Sequence, residues 1–268
     1  MSHYVWDNRA SQAVQRLGSL ATLHDPTTVR HLDALGVGEG WVCWEVGGGA
    51  GSIATWLARR VGAGGHVLVT DIDPRHLEAL AALGYTHLQV QRHDVERDPF
   101  PHEPFDLIHA RLVLMHIPTA DQVLRQLVLA LKPGGCLLIE DYDLRFVDRT
   151  FPTANPGAAD LFQRAYEAVA HVVERHGRPP GWGRELYQRL RAEGLVEVGM
   201  EGQLAVWPGG SERAPLDKAN FEQVRDEALE HGLLTEQEIT DVLALMDDPL
   251  FAFSSPIMFS AWGRRPAN

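Results

Sequence analysis

One acidic residue and four glycines follow the apolar run WVCW at 41–44 within a few positions of each other. They are Glu45, Gly47, Gly48, Gly49 and Gly51. Glycine lets the backbone turn tightly and come close to a ligand, and the amino end of a helix attracts polar or negative groups. The segment therefore predicts a ligand-binding loop between a strand and a helix. A tight turn whose glycines serve packing alone is the alternative.

A second acid, Asp71, ends the apolar run HVLVTD and follows Gly51 by about 20 residues, the distance expected of an acid that binds a ribose. Its carboxylate could accept hydrogen bonds from both ribose hydroxyls. Asp71 could instead cap the next helix, but Asp73 and Pro74 form the better signal, an N-cap followed by a first-turn proline. We expect Asp71 to bind a ribose and Asp73 to cap the helix.

The glycine spacing argues against a dinucleotide. The fingerprint G-x-G-x-x-G, or the same pattern ending in Ala, begins at Gly47 and Gly49 and would need Gly or Ala where the chain has Ser52. The spacing present is E-x-G-x-G-x-G. A nicotinamide oxidoreductase is therefore disfavoured.

Short apolar runs alternate with helical patterns up to about residue 145. The runs are WVCWEV, HVLVTD, HLQVQR, FDLIHA and CLLIED, and the segments after the glycines and before LKPGG carry apolar residues at helical spacing. This alternation is typical of βαβ units in a parallel sheet. The glycine loop and Asp71 then lie at the edge of the sheet where open α/β folds bind ligands.

The E-x-G-x-G-x-G spacing resembles the first motif of the class I S-adenosylmethionine-dependent methyltransferases. The resemblance spans about residues 40–145 and includes TDIDP, RHDVERDPFP, FDLIHARLVLMHI and LKPGGCLLIED, in the order in which the family has its motifs. It implies an α/β, Rossmann-like class I methyltransferase fold. Such a fold has a mostly parallel seven-stranded sheet, helices on both faces and a helical cap.

The resemblance also implies S-adenosyl-L-methionine as the cofactor. Glu45 would hold the positive amino end of its methionine, Ile72 would pack on the adenine, and Asp94 with the Val95 amide would bind the adenine edge. Backbone groups of Ala110 and Arg111 would lie near the amino-acid portion, and the Arg111 side chain could instead form a surface salt bridge. The implied cofactor site comprises Glu45, Gly47, Gly49, Gly51, Asp71, Ile72, Asp94, Val95, Ala110 and Arg111.

Methyl transfer depends mainly on alignment of the nucleophile, the methyl carbon and the leaving sulfur, so a dedicated base is optional. The candidate catalytic residues are His116 and Asp141, the latter in the EDYD cluster, because both follow strands at the ligand-binding edge. His116 could instead be a packed histidine in LVLMHIP. The acids could be solvated or, as in metal-dependent O-methyltransferases, bind a divalent ion. We expect no metal.

The βα rhythm covers only part of the chain. We expect three parts: a helical N-terminal cap segment at 1–35, a cofactor-binding α/β core at 36–150, and a C-terminal part at 151–268 that completes the sheet with two antiparallel late strands. Helical patterns at 157–176, in ELYQRLRAEG, at 215–231 and at 235–246 occur in the last part. A helical lid insertion is expected at about 208–250, where Thr235 and Glu238 form a capping box.

Composition narrows the range of partners. The formal net charge of -12 disfavours nucleic acid, whose phosphates are bound by Lys and Arg. The N-terminus lacks a signal-peptide pattern, and no window reaches the ~20 apolar residues of a membrane span. Cys43 and Cys136 lie in apolar runs, where a thiol is usually a small buried hydrophobe. We expect a soluble cytoplasmic protein without nucleic-acid or membrane partners, and a homodimer is compatible with the sequence.

Aromatic residues are frequent in the expected cap. They are Trp6, Phe146, Phe151, Trp182 and Trp207. They suit an apolar or aromatic small-molecule acceptor, such as a secondary metabolite, although the N-terminal aromatics could simply be core. The predicted function is methyl transfer to oxygen, nitrogen or carbon of such an acceptor. The alternative is a non-catalytic cofactor-binding protein with a regulatory or scaffold role.

The glycine spacing does not fit the dinucleotide-binding fingerprint, and this leads to a prediction about ligands. S-adenosyl-L-methionine or S-adenosylhomocysteine should raise the Tm, because a ligand that binds only the folded state stabilises it by RT ln(1 + [L]/Kd). NADH should leave the Tm unchanged. Differential scanning fluorimetry with the three ligands makes the comparison, and a shift with NADH alone would contradict the assignment.

Overall fold

The structure, a computed structural model, describes residues 13–145, 156–177 and 180–267. Within these ranges the strands are β1 (Val42–Val46), β2 (His66–Asp71), β3 (Leu88–Arg92), β4 (Phe105–Arg111), β5 (Leu131–Asp143), β6 (Val196–Gln203), β7 (Val206–Pro208), β8 (Ala252–Ser254) and β9 (Ile257–Arg264). The helices are α1 (Ala13–Ala34), α2 (Ser52–Val61), α3 (Ala120–Ala130), α4 (Pro156–His176), α5 (Trp182–Ala192), α6 (Ala214–Glu230) and α7 (Glu236–Leu245). Two 3-10 helices, Pro74–Leu83 and Leu114–His116, follow β2 and β4.

A seven-stranded sheet organises the molecule, in the order β3-β2-β1-β4-β5-β9-β6. Strands β1 to β5 pair in parallel, whereas β9 is antiparallel to both β5 and β6. The mostly parallel sheet and its antiparallel edge of two late strands are confirmed. The strand order reverses between β1 and β4, so the connections that follow these strands diverge and leave a crevice at the carboxyl edge.

Helices cover both faces of the sheet, which explains why its central strands are almost continuously buried. Cys43 of β1 and Leu107 of β4 belong to a buried cluster with Leu32 of α1 and residues of α2. The neighbouring residues Trp44 and Ile108 point into the opposite core, with α3 and α5. Alternate strand residues therefore face two different helical layers, and this parity decides which polar side chains meet at the strand ends.

The expected helices of the C-terminal part occur within a few residues of their predicted bounds. The capping box at the start of α7 is confirmed: the Thr235 side chain accepts a hydrogen bond from the Glu238 N–H, and the Glu238 carboxylate accepts one from the Thr235 N–H. Helix α4 packs on α6 and α7, and α6 also contacts α1. These helices lie together beside the crevice. No helix in the described ranges combines the length and apolar composition that a bilayer crossing requires.

The expected N-cap role of Asp73 is wrong. Asp73 precedes the 3-10 helix at Pro74, but its side chain accepts no capping hydrogen bond and instead pairs with Arg75 at 2.8 Å. The turn is fixed by Asp71, whose Oδ1 accepts a hydrogen bond from the Asp73 N–H at 2.9 Å. Aspartate commonly bonds the backbone two residues on in this way, and the resulting turn replaces a helix cap.

The glycine at the start of α2 generates a stability prediction. Gly51 has φ +81, and a Cβ there would lie 2.8 Å from both terminal methyl carbons of the buried Leu80. Gly84 has nearly the same left-handed backbone, φ +72, with open space around it. Gly84→Ala should cost ~1 to 2 kcal/mol of unfolding free energy from backbone strain. Gly51→Ala should cost a further ~1 to 3 kcal/mol from overpacking.

Urea denaturation of both variants separates the two contributions, because the backbone conformation is shared and only the packing differs. Equal losses in the two variants would show that the contact with Leu80 relaxes without cost.

Candidate active site

A cavity opens at the crevice between β1 and β4. Its wall is formed by the glycine loop, by the residues that follow β2, β3 and β4, and by side chains of α1, α4 and α6. The sequence-predicted residues that line it are Glu45, Gly47, Gly49, Asp71, Ile72, Asp94, Val95, Arg111 and His116. Elements far apart in sequence therefore bring most of the predicted residues to one place.

The glycine loop approaches its neighbours so closely that side chains would not fit. A Cβ on Gly47, which has φ +71, would lie 2.3 Å from Val113, and one on Gly48 would lie 2.3 Å from Val69. The N–H groups of both glycines donate hydrogen bonds to the Thr70 carbonyl, at 2.8 and 3.0 Å. Packing and turn geometry thus explain these glycines, and the same geometry presents bare backbone to the cavity.

Asp71 connects β2 to the glycine loop. Its Oδ2 accepts a hydrogen bond from the Gly49 N–H at 3.0 Å, while its Oδ1 holds the Asp73 N–H. Burial raises the pKa of this carboxyl above its ordinary value, against the two backbone hydrogen bonds. Each carboxylate oxygen has a second lone pair, so Asp71 can still accept hydrogen bonds from a ligand.

Glu45 belongs to a buried row of ionisable side chains across three strands. The two ring nitrogens of His109, on β4, lie 2.6 Å from Glu45 Oε2 on β1 and 3.2 Å from Glu140 Oε2 on β5. Burial alone would lower the pKa of His109, but the charges of the two carboxylates and hydrogen bonds to both raise it to about 9. The imidazolium therefore donates in both directions at neutral pH.

Glu140 has more hydrogen-bond partners than Glu45 or His109. Burial would raise its pKa, but the hydrogen bond and charge of His109 lower it to about 2. Its Oε1 accepts a hydrogen bond from Ser260 at 2.6 Å, and its Oε2 accepts one from Thr28 of α1 at 2.5 Å. The row thus continues from β1 into the N-terminal helix.

The side chain of Arg111 also points toward α1. Its Nη2 donates to Asp25 and its Nη1 to Thr28, both at 2.8 Å, and the guanidinium is largely buried. The salt bridge that the sequence left open for Arg111 is present, and it is partly buried because the pair joins β4 to α1. Leu112 follows with φ +56, an unusual backbone for a residue with a side chain, and it lines the cavity.

At the far end of the cavity, Ile72, Asp94 and Val95 lie together. Asp94 Oδ1 accepts a hydrogen bond from the Glu96 N–H at 3.1 Å, and the Asp94 N–H donates to Asp98 at 2.8 Å. These local bonds fix the turn after β3. This part of the cavity therefore combines two apolar side chains, Ile72 and Val95, with a carboxylate of defined position.

Gly51 and Ala110 do not line the cavity. Gly51 faces Leu80, so its role is close packing of the loop against the 3-10 helix. Ala110 is fully buried in the core on the α3 side. Strand parity explains the second case, because Ala110 lies on the opposite face from His109.

His116 lines the cavity from the 3-10 helix Leu114–His116. Burial, together with the nearby charge of Arg16, lowers its pKa to about 3. The imidazole is therefore neutral at physiological pH and holds an added proton weakly. This environment argues against a general base and favours the packed histidine that the sequence left open.

Asp141 does not reach the cavity, so its expected catalytic position is wrong. Its side chain is fully buried on the opposite face from Glu140, where Oδ2 accepts a hydrogen bond from Trp182 Nε1 at 2.9 Å. Burial raises the pKa of Asp141 to about 8. Asp143 is paired with Arg184. The acids of EDYD therefore have separate partners, and the described residues contain no group of three or more potential metal ligands.

Arg213, a residue outside the sequence-based predictions, lines the cavity at the start of α6. Arg213 and Asp217 form a fully buried ion pair, with Nε to Oδ2 at 2.9 Å and Nη2 to Oδ1 at 3.0 Å. Burial opposes the charge of Arg213, but the carboxylate of Asp217 raises its pKa above the ordinary value. The hydroxyl of Tyr166 donates to Asp217, and Arg213 donates to the hydroxyl of Tyr142 at 3.3 Å.

The expected aromatic lining is only partly present. Trp182 is buried against the sheet and Trp207 lies on β7, and neither lines the cavity. Trp6, Phe146 and Phe151 lie outside the described residues. In the described part of the chain, the phenol rings at the cavity are Tyr142 and Tyr166.

Some of the missed residues had a sequence signal. Arg213 and Asp217 are spaced i, i+4 at the start of a helix, the spacing of an intrahelical ion pair. His109 lies among the apolar residues of FDLIHA, a predicted strand in which a buried ionisable side chain requires partners. Arg16 and Leu17 of α1 also line the cavity, but no pattern links them to the glycine loop.

Comparisons with known proteins agree with this architecture. Residues 44–137 match the model of a methyltransferase domain family. The ubiquinone/menaquinone biosynthesis C-methyltransferase UbiE of Edwardsiella ictaluri is 33% identical over 165 residues, which cover 59% of this chain and 61% of that protein. Methyltransferase str2 of Strobilurus tenacellus is 32% identical over 149 residues, 55% of this chain and 50% of that protein. The chain therefore spans less than two thirds of the length of either relative.

Solved structures extend the likeness over most of the chain. The YcgJ protein of Bacillus subtilis superposes with a TM-score of 0.61 over 91% of this chain and all of its own, at 15% identity. Phosphoethanolamine N-methyltransferase 2 of Haemonchus contortus, in complex with S-adenosyl-L-methionine, has a TM-score of 0.61 over 99% of this chain and 60% of its own, at 14% identity. At these identities the likeness shows the fold alone.

The burial of Asp141 generates a prediction about pH. Its folded-state pKa of about 8 lies above the ordinary value of 3.8, so the folded chain keeps a proton that the unfolded chain releases. Stability should therefore fall as pH rises from about 4 to about 8. Asp141→Asn keeps an oxygen for Trp182 and has no proton to lose. Its free energy of unfolding should rise relative to the unmodified chain by on the order of 1 kcal/mol or more across that window.

Urea denaturation at pH 5 and pH 8 measures this difference. Asp226→Asn, at an exposed side chain of α6, controls for the loss of one negative charge. A difference between Asp141→Asn and the unmodified chain that stays constant with pH would contradict a protonated Asp141.

Proposed function

We propose that this chain, which belongs to the class I S-adenosylmethionine-dependent methyltransferases and uses S-adenosyl-L-methionine as its cofactor, methylates a small molecule held in the cavity between β1, β4 and the covering helices. The observation that carries the proposal is a set of three acidic side chains along one wall of the cavity. Glu45 lies one residue before the end of β1, Asp71 ends β2 and Asp94 follows β3, with bare glycine backbone between Glu45 and Asp71.

The chemistry of these residues fits the cofactor. In our proposal Glu45 holds the ammonium group, Asp71 the ribose hydroxyls, and Asp94 with Val95 and Ile72 the adenine. A pyrophosphate would fit poorly, because the Gly49 N–H already donates to the Asp71 carboxylate and Glu45 adds negative charge beside the loop. The close approach at Gly47 and Gly48 leaves room for a ligand where side chains would stand.

The bound cofactor supplies an electrophilic methyl group on a sulfonium. The chain contributes position and the exclusion of water. Leu17 and Leu20 of α1 and Leu112 and Val113 after β4 line the cavity. Apolar walls of this kind keep water away from the reacting atoms, and fixed positions make the encounter of methyl group and acceptor effectively intramolecular.

The acceptor is proposed to bind between α4 and α6. This end of the cavity has apolar walls, formed by Leu144, Val169, Val173 and Leu216. Arg213, Leu216 and Asn220 lie on one face of α6, with the ion pair of Arg213 and Asp217 already satisfied. An acceptor with an apolar body and one polar group, directed toward Asn220 and the tyrosine hydroxyls, suits this arrangement.

Two further observations support a small, apolar acceptor. The site lies beneath three helices rather than on an open surface, and the net charge of -12 is unfavourable for nucleic acid. The relative from Edwardsiella ictaluri is named for ubiquinone and menaquinone biosynthesis, so quinone-like phenols belong in the first panel of acceptors. His116 is too weakly basic to take the acceptor's proton, so the proposal relies on alignment.

The function is tested with methyl-labelled S-adenosyl-L-methionine and a panel of small phenols, amines and polyketides. Label should enter an apolar acceptor of the panel. Asn220→Leu should lower kcat/KM for that acceptor by about ten-fold, the effect of losing one neutral hydrogen bond, with an unchanged affinity for S-adenosylhomocysteine.

Glu222→Leu, at an exposed position of the same helix, should change neither quantity. Weaker S-adenosylhomocysteine binding by Asn220→Leu would contradict the proposed division of the cavity. Cofactor binding without transfer to any member of the panel would favour a non-catalytic cofactor-binding protein.

A further inference from the structure

His109 has no place in the function proposed so far, although it lies directly behind Glu45. We propose that His109 is a positioning residue: it fixes the Glu45 carboxylate for the ammonium group of S-adenosyl-L-methionine and couples that carboxylate to α1 through Glu140. The inference rests on the proposed placement of the ammonium group at Glu45. It adds to the site a buried residue of β4 that lies behind the cavity wall.

Strand geometry puts the three side chains on one face of three adjacent strands. Glu45 pairs directly with His109 across β1 and β4. On β5, Glu140 lies two residues beyond Leu138, the register partner of His109. All three lie on the face covered by α1, because they have the parity of Cys43, Leu107 and Leu138, which pack on that side. The ring of His109 therefore spans the gap between the two carboxylates.

The contacts of His109 restrain Glu45 at one oxygen. The distance of 2.6 Å between His109 Nδ1 and Glu45 Oε2 is that of a short charge-assisted hydrogen bond. The opposite nitrogen is held by Glu140, which Ser260 and Thr28 fix in turn. The Glu45 carboxylate lines the cavity and cannot rotate away without breaking its buried ion pair with His109.

Charge balance gives the arrangement a preference for a cation. The carboxylates of Glu45 and Glu140 carry two negative charges, and the imidazolium of His109 neutralises only one of them. The other groups that face this row are His24 and His31 of α1, whose pKa values are both lowered by burial, and Arg111, which is already paired with Asp25. One negative charge remains at the wall of the cavity, and an ammonium group would neutralise it.

The same row connects the cofactor acid with the covering helix. Thr28 donates to Glu140 and accepts a hydrogen bond from Arg111, and its helix, α1, carries Leu17 and Leu20 into the cavity. A neutral side chain at position 109 would leave both buried carboxylates without their charged donor, and Glu140 would keep Thr28 and Ser260 whereas Glu45 would keep neither. The effect should therefore appear first in the recognition of the ligand's charged end.

Two ligands that differ in this end separate a positioning role from a general structural one. S-adenosylhomocysteine carries the amino-acid portion with its ammonium group, whereas methylthioadenosine lacks that portion and keeps the ribose and adenine. His109→Gln should weaken S-adenosylhomocysteine binding by about ten-fold or more, since hydrogen bonds to charged groups are involved. Binding of methylthioadenosine should be unchanged. Isothermal titration calorimetry measures both.

Glu45→Gln and the double variant complete the test. Glu45→Gln alone should show the same ligand-selective loss, and His109→Gln should then add little to it, because both changes act on one interaction. If Glu45→Gln leaves the ratio of the two affinities unchanged, the placement of the ammonium group at Glu45 fails. If only His109→Gln leaves it unchanged, this inference alone fails. Equal losses for both ligands would also overturn it.

Nuclear magnetic resonance of the unmodified chain provides a second measurement, in case His109→Gln does not fold. With 15N-labelled histidine, one imidazolium should persist at pH 8, where an ordinary histidine is neutral. S-adenosylhomocysteine should shift its ring resonances more than methylthioadenosine does. The absence of a persistent imidazolium, or equal shifts with both ligands, would contradict the positioning role.

Discussion

The imidazolium of His109 lies between two carboxylates that have almost no contact with solvent, and the arrangement of the surrounding elements depends on this compensation. Glu45 on β1 and Glu140 on β5 lie on either side of β4, and buried carboxylates are stable only with a charged partner and a full set of donors. His109 on the strand between them provides the charge. Thr28 of α1 and Ser260 of β9 complete the donors of Glu140. Both elements are therefore tied to this part of β5.

The cavity follows from the order of the strands as much as from the residues at its wall. Because β1 lies between β2 and β4, the glycine loop turns toward one side and the residues after β4 toward the other. The loop also packs closely on its neighbours. Gly47 and Gly48 allow this because a Cβ at either position would clash with Val113 or Val69. Asp71 then ties the loop to the end of β2. The backbone at the proposed methionine end is thereby held in place by contacts within the protein.

Local patterns predicted the sheet, most helices and the residues that follow the first three parallel strands, because apolar runs, glycine spacing and strand-end acids are all local signals. The same signals misplaced Asp73, since a neighbouring aspartate can supply the turn that a cap would provide. Local signals also could not show that Gly51 and Ala110 lie away from the cavity. Gly51 faces Leu80, and Ala110 faces the core beside α3, and both orientations depend on tertiary packing. The ion pair of Arg213 and Asp217 reaches the cavity only through the packing of α6 on α4 and α1, which no short stretch of sequence records.

Glu140 and Asp141 show most directly how the sheet assigns chemistry to adjacent residues. They have the same functional group and comparable burial, yet the pKa of Glu140 is about 2 and that of Asp141 about 8. Successive strand residues face opposite layers, so Glu140 meets His109 whereas Asp141 meets the indole of Trp182. A charged partner keeps one carboxylate ionised, and a neutral donor leaves the other to the cost of desolvation. The EDYD cluster is therefore a cluster only in sequence: one acid supports the wall of the cavity, the next belongs to the core behind it, and a shared metal or a shared proton would require them to face the same side.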